Sequence, residues 1–293
     1  MKFDSYHPMI NLIYFGAAIG LTFAFNHPAF VMIAYVCSFL YSLKLNGRGA
    51  LVFNICLVPV GVAQALWYAY YNHFGITNLA VNLVGNQITL EALIYGSIIS
   101  LKLMTAIMFM SCVFAVVSSD KIVYLFGRIS PKLSLFLAIL LRTVPRVKKY
   151  AGRINIAQQG IGRAPKQGRW LQKGTNLLRM GSTLVTWTME NFVESAASMK
   201  CRGYSLKGRT AFSIYRFDNR DRSFVVMIFL LLTIVMMGCA LNQTNIYYDP
   251  AIIMPPITSG SFVFYGAYAT FLLLPMILQI IGEYKFNKLR MTI

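Results

Sequence analysis

Six runs of mostly apolar residues mark the chain, at 9–25, 29–45, 51–71, 92–118, 223–241 and 262–283. Each is close to the ~20 residues that cross a bilayer as a helix. The first two are short and separated only by Asn26-His27-Pro28, which predicts a tight or partly re-entrant hairpin. Between 119 and 222 the pattern changes from continuous to periodic. Ser130 and Pro131 read as an N-cap and a first helical position. Leu133, Leu137, Leu140, Val144, Val147, Ala151, Ile154, Gln158 and Ile161 follow at alternating spacings of four and three. That is one helical stripe, with Arg142, Arg146, Lys148, Lys149 and Arg153 off it. Pro145 predicts a kink, and Gly160, Gly162 and Pro165 a stop. A second helix is predicted from about Thr175 to Arg202, its stripe formed by Leu178, Gly181, Val185, Met189, Phe192, Ala196 and Met199. Its small residues allow another helix to cross closely. Gly203 stands where a helix commonly ends in a left-handed residue.

Composition agrees with the pattern: 57% of residues are hydrophobic and 12% charged, against ~25% charged in a soluble domain. The net charge of +18 comes from 27 Lys and Arg against 9 Asp and Glu, and their placement is ordered. Neither 72–90 nor 242–261 contains a Lys or Arg, and neither does the Asn26–Pro28 turn. Lys44 and Arg48 lie between the second and third runs, twenty Lys and Arg lie from Lys121 to Arg222, and Lys285, Lys288 and Arg290 follow the last run. Because cytoplasmic segments are the Lys/Arg-rich ones, both termini and the central segment are expected inside. The expected fold is all-α: a polytopic membrane protein with about six transmembrane helices and two long crossing cytoplasmic helices. It divides into a membrane region 1–118, a cytoplasmic region 119–222 and a membrane region 223–293.

Charge placement by topology leaves no excess that calls for a nucleic acid. Cys37, Cys56, Cys112, Cys201 and Cys239 are widely spaced, which fits neither a zinc site nor a disulfide framework. The three histidines are scattered, and no cleavable signal peptide is evident. The glycine- and lysine-bearing stretch GIGRAPKQGRW has the wrong spacing for a phosphate-cradling loop. Glu190 and Glu194, one turn apart, are expected to pair with nearby basic residues. No acid–base, metal or cofactor constellation stands out. Lys102 lies inside the fourth apolar run, where a lysine costs about 2.5–3.5 kcal/mol, so it should face protein or a wet cavity as a structural charge. Glu91 is too distant along the helix to be its partner.

The stretch SMKCRGYSLKGRT, Ser198–Thr210, sets Lys200, Arg202, Lys207 and Arg209 around the predicted helix end. An ordinary helix C-terminus, an anionic membrane surface and a pocket on a partner protein each account for it.

The opening YHPMINLIYF and NHPAF, the SMKCRGY helix end and the long basic helical pair resemble the transmembrane T component of energy-coupling factor (ECF) transporters, over nearly the whole chain. The resemblance implies that the two long helices are coupling helices, each ending in an Ala-Arg-Gly motif that docks in a groove on one of two cytoplasmic ABC-type ATPases. It further implies a separate membrane S component that binds a micronutrient, vitamin or metal ion, in a bacterial or archaeal cell membrane. ATP would be bound by the partners, so this chain would need no cofactor and catalyse nothing. The second motif falls on Cys201-Arg202-Gly203, with cysteine in place of alanine. The first falls on Gly160-Ile161-Gly162, which lacks the arginine, and either Arg163 or an apolar contact by Ile161 would stand in. The alternative from another class is a polytopic membrane enzyme acting on a phosphate-bearing lipid.

Overall fold

The computed structural model describes residues 3–81, 87–165, 169–204, 206, 215–250, 252–256 and 258–291. The chain divides into two compact units, Met1–Ser118 with Tyr215–Ile293, and Ser119–Ile214. The two flanking apolar regions thus form one body, and the central segment forms another.

The first unit opens with a short 3₁₀ turn, Phe3–Ser5, followed by α1 (Pro8–Ala24), α2 (Pro28–Asn46) and α3 (Arg48–Tyr71). A small antiparallel hairpin, β1 (Asn78–Val81) and β2 (Gln87–Thr89), leads into α4 (Leu90–Val116). Two helices that follow the central segment complete the unit: α8 (Asn219–Ala240) and α9 (Ser259–Met291). Among the described residues, α2, α3, α4, α8 and the Ser259–Lys288 part of α9 are long and apolar enough to cross a membrane. The protein is a multi-pass all-α membrane protein. The first predicted span is α1, apolar but only 17 residues, about 25 Å at 1.5 Å per residue.

Two of the scattered histidines start helices. His7 and His27 each precede a proline at the first helical position, and each Nδ1 accepts the amide of the second residue, Met9 at 3.3 Å and Ala29 at 3.2 Å. The imidazole does here what Ser or Asp usually does at an N-cap. Aromatic residues from α1, α2, α4 and α9 fill the core, among them Tyr14, Phe15, Phe30, Tyr41, Phe109, Tyr268 and Phe271. The buried Tyr14 hydroxyl donates to the Leu272 carbonyl at 2.8 Å, joining α1 to α9. Small residues bring α3 and α4 together: a Cβ on Gly96 would lie 2.9 Å from the Ala65 carbonyl oxygen, and Ser100 donates to the Gly61 carbonyl at 2.6 Å. Close approach of this kind is how helices associate where lipid competes for apolar surface.

One end of this unit collects the basic residues, with Lys44 bonded to Glu283 at 2.6 Å and Asn46 to Ser111 at 3.2 Å. At the other end the α1–α2 turn stops beside Lys102, level with the middle of α4, and the segment 244–248 folds over it. Both the Asn26 and His27 amides donate to the Thr244 carbonyl, at 3.2 and 3.0 Å. Tyr248 donates to the Asn26 carbonyl at 2.9 Å while packing against Tyr95. The expected short hairpin is therefore present, with a loop closing the space beyond it.

The second unit contains α5 (Ser119–Ile129), α6 (Pro131–Gly160) and α7 (Trp170–Cys201). α5 is an amphipathic helix absent from the pattern reading, packed on α6 with Ser134 donating to the Val123 carbonyl at 3.2 Å. α7 starts five residues before the expected Thr175 and has no buried residue.

Candidate functional site

The sequence singles out the ends of α6 and α7, and the backbone there is the same. α6 stops at Gly160 with Ile161 as C-cap, and Gly162 takes φ +74°. Its amide bonds the Gln159 carbonyl at 3.1 Å, while the Arg163 amide reaches back to Gln158 at 2.9 Å. α7 stops at Cys201 with Arg202 as C-cap, and Gly203 takes φ +77°. There the Gly203 amide bonds Lys200 at 3.0 Å and the Tyr204 amide bonds Met199 at 3.2 Å. These are two Schellman turns, which satisfy the last helix carbonyls and need a residue that accepts positive φ.

Superposing the two hydrogen-bond patterns settles which residues correspond. Gly160, Ile161, Gly162 and Arg163 match Cys201, Arg202, Gly203 and Tyr204 in order. Ile161, 67% exposed, takes the place of Arg202, and Arg163 takes that of Tyr204. Arg163 does not substitute for Arg202 at the same backbone position; it projects from the next one.

The turn itself is an ordinary helix stop. α8 ends likewise, with Asn242 at φ +53° and the Gln243 amide on the Gly238 carbonyl at 3.1 Å. That end is tied into its own unit by a Ser261–Gln243 hydrogen bond. In α6 and α7 the cap residues Ile161 and Arg202 are exposed, as Leu241 of α8 is, and so are Gly160, Cys201 and Arg163. Ser205, Lys207 and Arg209 of the basic cluster lie outside the described residues.

The order of contacts reverses along the two long helices, so they run antiparallel. Asn176 near the start of α7 donates to the Ala164 carbonyl just past α6, at 3.2 Å. Tyr150 and Trp187 stack at their middles with centroids 3.4 Å apart. Leu135 to Arg146 of α6 face Trp187 to Arg202 of α7 across a groove of about 530 Å³. The two Schellman turns therefore sit toward opposite ends of the pair. From the level of Asn176 to Cys201 is about 38 Å along α7 at 1.5 Å per residue.

This packing matches the expected α6 face in part and corrects that of α7. Of the α6 stripe, Leu137, Val147, Ala151, Ile154 and Gln158 are half-buried, whereas Leu133, Leu140, Val144 and Ile161 are exposed; Arg142 and Arg146, expected off it, are exposed where they line the groove. On α7, Leu178, Val185, Met189 and Phe192 are exposed, and the covered side is Trp187, Thr188, Asn191, Ser195 and Met199. Among the described residues neither Glu190 nor Glu194 forms an ion pair, contrary to expectation.

Lys102 lies in the other unit and is 6% exposed, as expected for a charge turned from lipid. Its partners are neutral: Nζ donates to the Phe23 carbonyl at 3.0 Å and to Asn26 Oδ1 at 2.6 Å. It closes the last turn of α1, whose carbonyls carry the negative end of the helix dipole. Glu91 is engaged elsewhere, accepting the Thr77 hydroxyl at 2.7 Å. Among the described residues no group of three His, Cys, Asp or Glu is placed to hold a metal ion. In comparison with known proteins, no family model matches this chain and no curated protein matches it.

Proposed function

We propose that this chain is the transmembrane coupling subunit of an ECF-type ABC importer, the T component. The observation that carries the reading is the duplicated pair of exposed helix ends, Gly160-Ile161-Gly162 and Cys201-Arg202-Gly203, on one antiparallel helix pair. Two similar turns about 38 Å apart along α7 suit two separate docking points, one for each of two cytoplasmic ATPases. In this reading ATP is bound and hydrolysed by those partners, and a membrane S component binds the vitamin or metal ion. α6 and α7 lie in the cytoplasm with both termini, in a bacterial or archaeal cell membrane. Arg202 has the chemistry for a docking anchor: a planar guanidinium with five donors engages carboxylates and carbonyls in forked geometry. Gly203 lets a partner backbone come close. Ile161 at the matching position offers an apolar contact, so the two grooves are non-identical and suit non-identical ATPases.

Co-purification of the ATPases and substrate uptake at matched expression test this. Arg202→Ala leaves partner groups buried and unpaired and is expected to weaken docking by about 3–5 kcal/mol. Arg163→Ala, at a position offset from the anchor, is expected to cost less than Arg202→Ala. Equal, mild effects would return Arg202 to an ordinary helix end, and failure of any ATPase to co-purify would overturn the reading.

A further inference from the structure

We propose that the groove between α6 and α7 is a binding site for the phosphate group of an anionic phospholipid. Two guanidiniums that the docking reading leaves unused line it, Arg142 and Arg146, one turn apart on α6; Arg202, the docking residue, borders the same groove at the end of α7. Glu194 is its single carboxylate. Among the described residues none of the three arginine side chains forms a hydrogen bond or ion pair. Like charges at i and i+4 on a helix repel. An anion seated between them reverses the sign of that interaction, and phosphate oxygens match the guanidinium fork.

The remaining walls indicate which phosphate. Leu135, Ile139 and Met199 give the groove an apolar floor beside its cationic residues. A free phosphate has no use for such a floor, whereas a phospholipid carries acyl chains next to its headgroup. The chain is a multi-pass membrane protein, so phospholipid is always at hand. Of the carbonyls at the end of α7, those of Lys200 and Met199 are occupied by the Gly203 and Tyr204 amides.

Trp187 lines the same groove and makes a reporter. Trp67→Phe and Trp170→Phe leave it as the only tryptophan of the three. Full-length protein in detergent is titrated with brominated phosphatidylglycerol or brominated phosphatidylcholine, and quenching of Trp187 is followed. Selective quenching by phosphatidylglycerol is expected, with half-quenching shifted about tenfold or more by Arg142→Ala/Arg146→Ala, the loss of charge-assisted bonds. Lys148→Ala/Lys149→Ala, exposed on the same helix outside the groove, is expected to change it little. Arg142→Lys/Arg146→Lys keeps the charge but not the fork and should fall between. Circular dichroism melting of each variant shows whether it is folded. Equal loss for the arginine and lysine pairs, or no preference between the two lipids, overturns the proposal. Pyrophosphate stabilisation that needs Arg142 and Arg146, without selective lipid quenching, overturns the lipid assignment. No ATPase is present in the assay, so its outcome is independent of the docking test.

Discussion

Replacing Lys102 by Met removes a charge from the middle of a membrane helix and is nonetheless expected to destabilise the bundle. Relief of the mid-span cost returns about 2.5–3.5 kcal/mol. Against that, Lys102 makes two hydrogen bonds from a charged donor, at 3.0 and 2.6 Å. Such bonds contribute about 1.5–3 kcal/mol each, and their loss leaves the Phe23 carbonyl and Asn26 Oδ1 without this donor. The two bonds together outweigh that relief by anything from about zero to about 3.5 kcal/mol. The damage should concentrate at the α1–α2 turn, where the Asn26 backbone remains held by Thr244 and Tyr248. A double-mutant cycle isolates the bond: Lys102→Met, Asn26→Leu and the pair together, unfolded with SDS in mixed micelles and followed by circular dichroism. Asn26→Leu alone strands the ammonium, so the combined variant should be less damaged than the sum of the singles. Coupling of about 1.5–3 kcal/mol is expected. Additivity within about 0.5 kcal/mol would refute the reasoning, because residues that share no bond add in that way.

Two further outcomes follow. Gly96→Val places a side chain against the Ala65 carbonyl and Tyr68, so α3 and α4 must separate, at about 1–3 kcal/mol of overpacking. Gly266→Ala, inside α9 with nothing within 4 Å, should not lower stability in the same SDS unfolding measurement. For topology, single cysteines at positions 79 and 247 in a chain lacking its native cysteines should react with an impermeant thiol reagent only from outside. Cysteines at 161 and 193 should react only from inside. Outer labelling at 193 would sink the orientation and the docking reading with it.

The membrane helices were legible because continuous apolar runs of the right length have few other solutions. α5 was missed because SDKIVYLFGRI follows directly on an apolar run, and its period is masked by the longer signal. The β1–β2 hairpin was missed because its strands have only four and three residues, too few for alternation to show. For Lys102, burial followed from its position, but the identity of its partners did not. Asn26 and Phe23 are more than seventy residues away in sequence and meet it only because α1 is short. The helix ends were the most legible part of the candidate site, since glycine after a helix signals a left-handed cap through local sterics alone.

The face of α7 failed for a different reason. A stripe at spacings of three and four identifies which side of a helix is apolar, and within a soluble single chain that side is normally the one covered. α7 carries two such stripes. The apolar one, Leu178, Val185, Met189 and Phe192, stays exposed, and the one facing α6 mixes Trp187 and Met199 with Thr188, Asn191 and Ser195. The mixed stripe reads poorly as a core face by hydropathy, yet two of its polar members bond within their own helix: Thr188 to the Leu184 carbonyl at 2.9 Å and Asn191 to the Trp187 carbonyl at 2.8 Å. With their donors satisfied locally, those side chains tolerate the helix interface that hydropathy denies them. The groove they border then admits Arg142 and Arg146, which a purely apolar seam would exclude. The misread face and the arginine groove are thus one feature: α6 and α7 are matched through self-satisfied polar residues, and that is what leaves room for charge between them.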